Sequence, residues 1–233
     1  MCGIFGYVGK KTDTPNMILD GLKLLEYRGY DSWGIATKIK NQKSKIKNEF
    51  EIKVEKHVGK IGDAKVDLPE SEIGIGHTRW ATHGGVTKEN SPPHLDCSKN
   101  IAVVHNGIIE NYQEIKEDLV KKGHTFISET DTEIFPHLVE EFLKSNSFET
   151  AFRLAFNTIK GLNAIVAINS STNEIAAAKT GSPLVVGVGE DAFYISSDPN
   201  GVAMHTDKAL FIKDYEMVIF GKRLNYSYLR DGL

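Results

Sequence analysis

The feature that most constrains this chain is the order in which its hydrophobic pattern changes period: one helical segment, then short strands, a helical middle, and strands again to the end. The first helix is signalled by Thr14-Pro15, a cap with proline at the first helical position. It leads into Ile18, Leu22 and Leu25 at i, i+4 and i+7, with Gly29 as its stop. Strands are predicted over 34–39, 50–54, 73–77 and 101–105, each rich in β-formers. Tyr112, Ile115, Leu119 and Val120 share one helical face, and further helices are expected over 134–143 and 151–159. Strands resume at 164–169, 175–179, 184–188, 193–196 and 217–220. Segregated strands and helices imply stacked sheets with helices packed outside, whereas alternating β and α units would imply a parallel doubly wound sheet. The predicted class is α+β, a layered sandwich forming one domain over residues 1–233.

Apolar residues make up 40% of the 233 positions, enough for a sizeable core and unlike the composition of a disordered chain. Lys and Arg number 28 against 31 Asp and Glu, a net charge of −3, so no positive field draws in phosphate backbones or anionic lipid. Neither nucleic acid nor membrane is expected as a partner. The mildly apolar first residues have no basic segment before them and are followed by Lys10 and Lys11, the reverse of a secretory signal. Cys2 and Cys97 are the only cysteines, too few for a secreted disulfide framework, which points to a reducing cytoplasm. The lysine-rich stretch from Lys38 to Lys60, with Lys43, Lys45 and Lys47 on alternate positions, reads as a solvated edge hairpin.

Four segments hold residues with chemical potential. Removal of Met1 would leave Cys2 carrying both a thiol, ordinarily titrating near ~8.5, and an α-amine near ~7.7–8.0, a nucleophile with its own base. The same residue also suits a small buried position opening a strand. His77-Thr78-Arg79-Trp80-Ala81-Thr82-His83-Gly84-Gly85 offers a guanidinium fork for a carboxylate, a flat aromatic lid and a glycine pair, or else a surface turn with Trp80 in the core. Asn106-Gly107 is a tight-turn signal whose amide and backbone N–H also suit an oxyanion. Asp131, within Ser128 to Glu133, either holds a ligand ammonium or helps to cap the next helix.

Two other sites compete. His83, His94, Cys97 and His105 carry zinc-compatible atoms, and His94-x-x-Cys97 has a plausible ligand spacing, yet the paired spacing of a structural zinc motif is absent, so no metal ligand is assigned. Cys97 with a histidine and Asn106 imitates a papain-like set, but nothing around Cys97 resembles the helix start that bears such a nucleophile.

Taken together, the runs Met1 to Gly6, Glu26 to Ser32, His77 to Gly84, His105 to Asn111 and Ser128 to Glu133 resemble the class II, N-terminal-nucleophile glutamine amidotransferases. Their wording is most similar to members that deliver ammonia to fructose 6-phosphate, and the resemblance spans essentially the whole chain. It implies a four-layer αββα sandwich of two mainly antiparallel sheets and no cofactor. It further implies that Cys2 attacks the side-chain amide of L-glutamine, that Asn106 and Gly107 hold the oxyanion, and that a thioester on sulfur is hydrolysed to L-glutamate. Arg79 would grip the α-carboxylate with Thr82 and His83, Asp131 the α-ammonium, and Trp80 would close the site; Arg28 and Tyr30 would support the nucleophile or the ammonia exit. The acceptor would be a fructose-6-phosphate isomerase domain, in cis or in trans, and any homodimer would form through that domain. No isomerase segment is expected within these residues, so this chain by itself is expected to hydrolyse glutamine without making the amino sugar. Two positions depart from the family pattern: Trp33, expected to narrow the ammonia exit or fill a gap, and Pro136, expected to delay or kink the helix after Asp131.

Overall fold

The computed structural model describes residues 2–41 and 49–229. Met1 and Lys43, Lys45 and Lys47 lie outside the described residues. Strand β1 (Gly3–Gly9) leads into α1 (Thr14–Leu24) and a 3-10 turn at Glu26–Arg28, then β2 (Ser32–Lys40), β3 (Phe50–Val58) and β4 (Ile73–Arg79). After the two-residue β5 (His94–Leu95) and β6 (Ile101–Gly107) come α2 (Tyr112–Lys121), a 3-10 turn at Asp131–Glu133, α3 (Ile134–Leu143) and α4 (Phe148–Thr158). The chain continues through β7 (Asn163–Asn169), β8 (Ile175–Lys179), β9 (Val185–Val188), β10 (Ala192–Ser196), α5 (Pro199–Ala203), β11 (Ala209–Phe211), β12 (Glu216–Phe220) and β13 (Leu224–Tyr228).

Among the described residues the strands form two sheets, ordered β11-β9-β10-β1-β4-β2-β3 and β13-β12-β8-β7-β6-β5, with antiparallel pairing throughout. Alternate residues of each central strand enter different apolar layers, as period-two side-chain direction requires. Ile4 and Val8 of β1 face the second sheet, where Ala102 and Val104 of β6 meet them, while Phe5 and Tyr7 pack outward on Ile18 and Leu22 of α1. Ile101 and Val103 of β6 turn away onto Phe135 of α3 and Phe152 of α4. Three apolar layers separate four layers of structure, which is the αββα sandwich.

Several local expectations are corrected or decided between alternatives. Asp13, not Thr14, occupies the cap position of α1, without a side-chain cap bond; Thr14 lies inside the helix and its hydroxyl donates to the Ser71 carbonyl. Trp33 is buried under the first sheet, stacked on His57 at 4.3 Å, so it fills a gap in the core. Pro136 falls in the first turn of α3, where its missing N–H breaks no helical bond, and the 3-10 turn before it carries Asp131. The β2–β3 hairpin does lie at a sheet edge, but Lys38 is not solvated. Its Nζ donates to the Thr172 carbonyl at 2.6 Å and Asn173 Oδ1 at 2.8 Å, and burial lowers its pKa to about 8. Among the described residues no helix is long and apolar enough to cross a membrane.

Candidate active site

Cys2 is half-buried at the mouth of β1, a central strand of the first sheet. Register places Gly3 opposite Thr78, so the chain enters β1 beside the end of β4, where Arg79 and Trp80 leave the sheet. The Trp80 N–H donates to the Cys2 sulfur at 3.2 Å, and the Cys2 carbonyl accepts from Arg28 Nε at 3.1 Å and from Asn106 Nδ2 at 3.0 Å. Arg28 reaches this point because the 3-10 turn lies against the end of β4. A Cβ on Gly29 would stand 2.8 Å from the Arg79 carbonyl carbon and 2.9 Å from the Trp80 nitrogen, so the close approach requires glycine. Asp198 Oδ2 anchors the far side of Arg28 at 3.3 Å and accepts from the Tyr27 hydroxyl at 2.8 Å. Burial is the dominant influence on the Cys2 thiol and holds its pKa above the ordinary value, against the opposing pull of the Trp80 N–H and the Arg79 and Arg28 cations.

Asn106-Gly107 is not a hairpin turn. Both residues end β6, which pairs with β7 across the intervening helices, Gly107 opposite Asn163. Gly107 has φ of 138°, and a Cβ there would stand 2.3 Å from the Leu162 carbonyl oxygen, so no other residue fits. His77 of β4 reaches across the sandwich, its Nε2 donating to the His105 carbonyl at 2.9 Å and to Asn106 Oδ1 at 3.0 Å. That bond fixes the Asn106 carboxamide with its nitrogen toward Cys2. His77 Nδ1 is buried without a hydrogen-bond partner, so protonation there is disfavoured and burial lowers the pKa to about 3.

Two cavities meet at Cys2. The larger, about 510 Å³, is lined by Arg28, Asn106, Ile108, Leu162 and Pro183, with Cys2, Trp80, Thr82 and Gly107 common to both. The smaller, about 40 Å³, contains Arg79, His83, Thr130 and Asp131. Arg79 and Asp131 thus lie on one cavity with the sulfur. Each already has internal partners: Arg79 Nη1 donates to the Gly85 carbonyl at 3.1 Å, its Nη2 donates to the carbonyls of His83 and Gly84, and Asp131 Oδ2 accepts from the Ile109 N–H at 2.7 Å. Trp80 is 47% exposed with Tyr30 edge-on at 5.4 Å, so it is not core, and Tyr30 contacts the Trp80 ring. The cap reading of Ser128 to Glu133 does not hold: neither Thr130 nor Glu133 makes a side-chain cap bond, and Glu133 accepts instead from the Ile127 and Ser128 N–H groups ahead of the 3-10 turn.

The competing histidine sets do not assemble. His94 bonds Thr130 Oγ1 at 3.2 Å, and His105 is fixed between Thr132 at 3.0 Å and Asn163 at 2.8 Å, leaving neither to join Cys97. Asn106, required by the papain-like set, is bonded to Cys2. Sequence reasoning missed Asp31, whose carboxylate accepts from the Ala81 N–H at 2.9 Å and pins the start of the Trp80 loop, and Asp198 behind Arg28. It also missed Leu162 and Pro183 on the larger cavity. Asp31 stands in the Glu26 to Ser32 run with nothing there to signal its contact with Ala81, and the others lie outside the motif runs, so only the folded chain brings them in.

Over residues 77–203 the chain matches the family model for a glutamine amidotransferase domain. It is 44% identical over 225 residues to the glutamine–fructose-6-phosphate aminotransferase (isomerizing) of Methanothermobacter thermautotrophicus, an overlap of 94% of this chain and 36% of the relative. A protein of the same name from Thermus thermophilus is 45% identical over 222 residues, covering 94% and 35% respectively. The chain therefore spans about a third of the length of the curated relatives it matches. Glutamine phosphoribosylpyrophosphate (PRPP) amidotransferase from B. subtilis superposes on all of this chain and 50% of its own with a TM-score of 0.81 at 23% identity, a likeness of fold.

Proposed function

The chain belongs to the glutamine amidotransferase domain family, and on that premise we propose that it splits the side-chain amide of L-glutamine and passes the ammonia to an adjoining acceptor domain. In this reading Met1 is removed, and the Cys2 α-amine takes the thiol proton through a bridging water as sulfur attacks the amide carbon. A base is needed because burial keeps the thiol protonated at rest. Asn106 and the Gly107 N–H hold the oxyanion; the α-amine returns the proton to the departing ammonia, leaving a thioester. Water then attacks the thioester, the C–S bond breaks, and L-glutamate leaves as the thiol is restored.

The observation that carries the reading is the seat of Cys2, at the junction of a small charged cavity and a larger, mainly apolar one. Arg79 and Asp131 in the former suit the α-carboxylate and α-ammonium of one free amino acid, which selects glutamine over a glutaminyl residue in a peptide. The 40 Å³ there is on the scale of about one water, whose share of liquid volume is about 30 Å³, so glutamine enters only as the 81–85 loop yields its carbonyls from Arg79. Thr82 and His83 belong to that loop, and Trp80 at its base closes behind the substrate. The larger cavity, past Arg28, Leu162 and Pro183, gives ammonia a way out, with Tyr30 bracing Trp80.

By analogy with the relatives' name, the acceptor is fructose 6-phosphate on an isomerase domain, in cis or in trans, and the reaction runs in the cytoplasm without a cofactor. The test is release of glutamate and ammonia from glutamine by the chain and by Cys2→Ala, together with the intact mass of the mature protein. Turnover by a chain beginning at Cys2, lost in Cys2→Ala with glutamine binding retained, supports the reading. Equal glutamate release from both, or a mature chain retaining Met1, overturns it.

A further inference from the structure

Away from Cys2, the turn between β5 and β6 brings Cys97 against the helical layer of the second sheet. Its sulfur lies 3.7 Å from His124 Nδ1 and 3.5 Å from His137 Nδ1, while Glu140 Oε2 is 3.1 Å from the former nitrogen and 3.6 Å from the latter. The four atoms all fall within 4.8 Å of one another. We propose that Cys97, His124, His137 and Glu140 bind one zinc ion.

The spacing fits that ion. Zinc bonds of ~2.3 Å to sulfur and ~2.0–2.1 Å to nitrogen or oxygen at tetrahedral angles place sulfur about 3.6 Å from nitrogen and nitrogen about 3.3 Å from oxygen. The measured separations match those tetrahedral edges to within a few tenths of an ångström. Thiolate with two imidazoles and one carboxylate is also a donor set for zinc, whereas magnesium and calcium take oxygen ligands.

Both rings are oriented from behind. His124 Nε2 donates to Glu141 Oε2 at 3.1 Å, and His137 Nε2 faces Glu133 Oε1 at 3.7 Å. The hydrogen bond to Glu141 places the His124 proton on Nε2, and the Glu133 carboxylate, though beyond hydrogen-bond distance of the buried His137 Nε2, favours the proton on that side too, so both Nδ1 lone pairs face inward, the arrangement by which proteins fix metal-binding imidazoles. Two nitrogen lone pairs and a carboxylate oxygen then converge on one thiol, which has a single weak proton to offer. A cation satisfies all three, and binding releases the thiol proton to solvent as the Zn–S bond forms.

The frame is rigid where it needs to be. His137 and Glu140 stand three residues apart on α3, hence on one face. Glu140 is held by the Cys97 and Ser98 N–H groups at 3.2 and 3.1 Å, and the Thr125 N–H donates to the Cys97 sulfur at 3.4 Å. Four protein ligands close the coordination sphere, so the ion acts as a clamp joining the 96–99 turn, the α2–α3 connection and α3, with no position reserved for a reactant. Asp131 lies on the 3-10 turn that opens α3, so the clamp steadies one wall of the Cys2 site.

The test uses the full chain carrying Cys2→Ala, which leaves Cys97 as its one thiol and makes the result independent of Met1 processing and of glutaminase chemistry. After chelation it is titrated with zinc sulfate by calorimetry and with cobalt(II) by absorption. The expected result is one zinc per chain, a higher Tm with zinc, and a cobalt spectrum with tetrahedral bands and a thiolate charge-transfer band. Adding Cys97→Ser at its exposed position should abolish that band and weaken zinc by at least about 100-fold, and Glu141→Gln should weaken zinc about 10-fold with the band retained. No stoichiometric zinc, or unchanged affinity in the Cys97→Ser chain, overturns the proposal.

Discussion

At the Cys2 end of the sandwich the histidines are turned away from the sulfur, whereas at the Cys97 turn two of them converge on it. His77 and His105 engage the Asn106 carboxamide, the Asn163 carboxamide, the Thr132 hydroxyl and a backbone carbonyl, and among the described residues no imidazole bonds to the Cys2 sulfur. Cys97 instead meets two Nδ1 atoms and lies beside Glu140, with carboxylates behind both rings. The same residue types thus build two different environments. What separates them is where the lone pairs and N–H groups point: backbone and amide donors around Cys2 suit charge that develops during a reaction, and a closed ring of acceptors around Cys97 suits a resident cation.

That contrast breaks first at Asn106. Asn106→Ala should lower kcat for glutamine hydrolysis by about 10²–10³-fold, or about 2.7–4 kcal/mol, with a smaller change in KM. Zinc binding should be that of the parent, measured in the same preparation; loss of both would show that the two corners are one cooperative unit.

The next effect is on stability. Burial, unrelieved by an acceptor at Nδ1, lowers the His77 pKa from 6.5 to about 3, and burial likewise lowers those of His94 and His105. Between pH 6.5 and about 3 the unfolded chain binds a proton at residue 77 that the folded chain refuses, so stability falls as pH is lowered through this window. One such group contributes a slope of about 1.4 kcal/mol per pH unit. Urea midpoints between pH 7 and 5 should therefore drop more steeply in the parent than in His77→Gln, by about 2 kcal/mol over that range. Identical slopes would remove His77 as a neutral strut.

Smallest is the effect at Arg79. Arg79→Lys keeps the charge and loses the planar fork that engages the loop carbonyls, so KM for glutamine should rise about 10-fold with kcat nearly unchanged. A fall in kcat alone would place Arg79 with the oxyanion donors in place of the carboxylate.

The α+β class, the helix over 134–143 and the strand over 175–179 were legible because each is an uninterrupted run with one period. The strand β13 and the helix α5 were not, since β13 is a half-exposed edge without an apolar run and α5 has only five residues. The alternation of the central strands was hidden as well, because both faces of β1 and β6 are buried and apolar residues fill either side. At the site, Cys2, Arg79, Asn106 and Asp131 were legible within contiguous motifs. Asp31, Asp198 and the ring partners of Cys97 were not.

By itself the sequence determined which short segments become strand or helix and which reactive side chains stand in contiguous runs, since local period, capping and turn chemistry act over a few residues. Tertiary structure decided the rest. It put Asn106 against the Cys2 carbonyl 104 positions away, and it gathered His124 and His137 around Cys97 from 27 and 40 positions off. Hydrogen bonds and coordination geometry are conditions on distance and direction in space, and residues brought together by sheet order leave no spacing in the chain from which those conditions can be read.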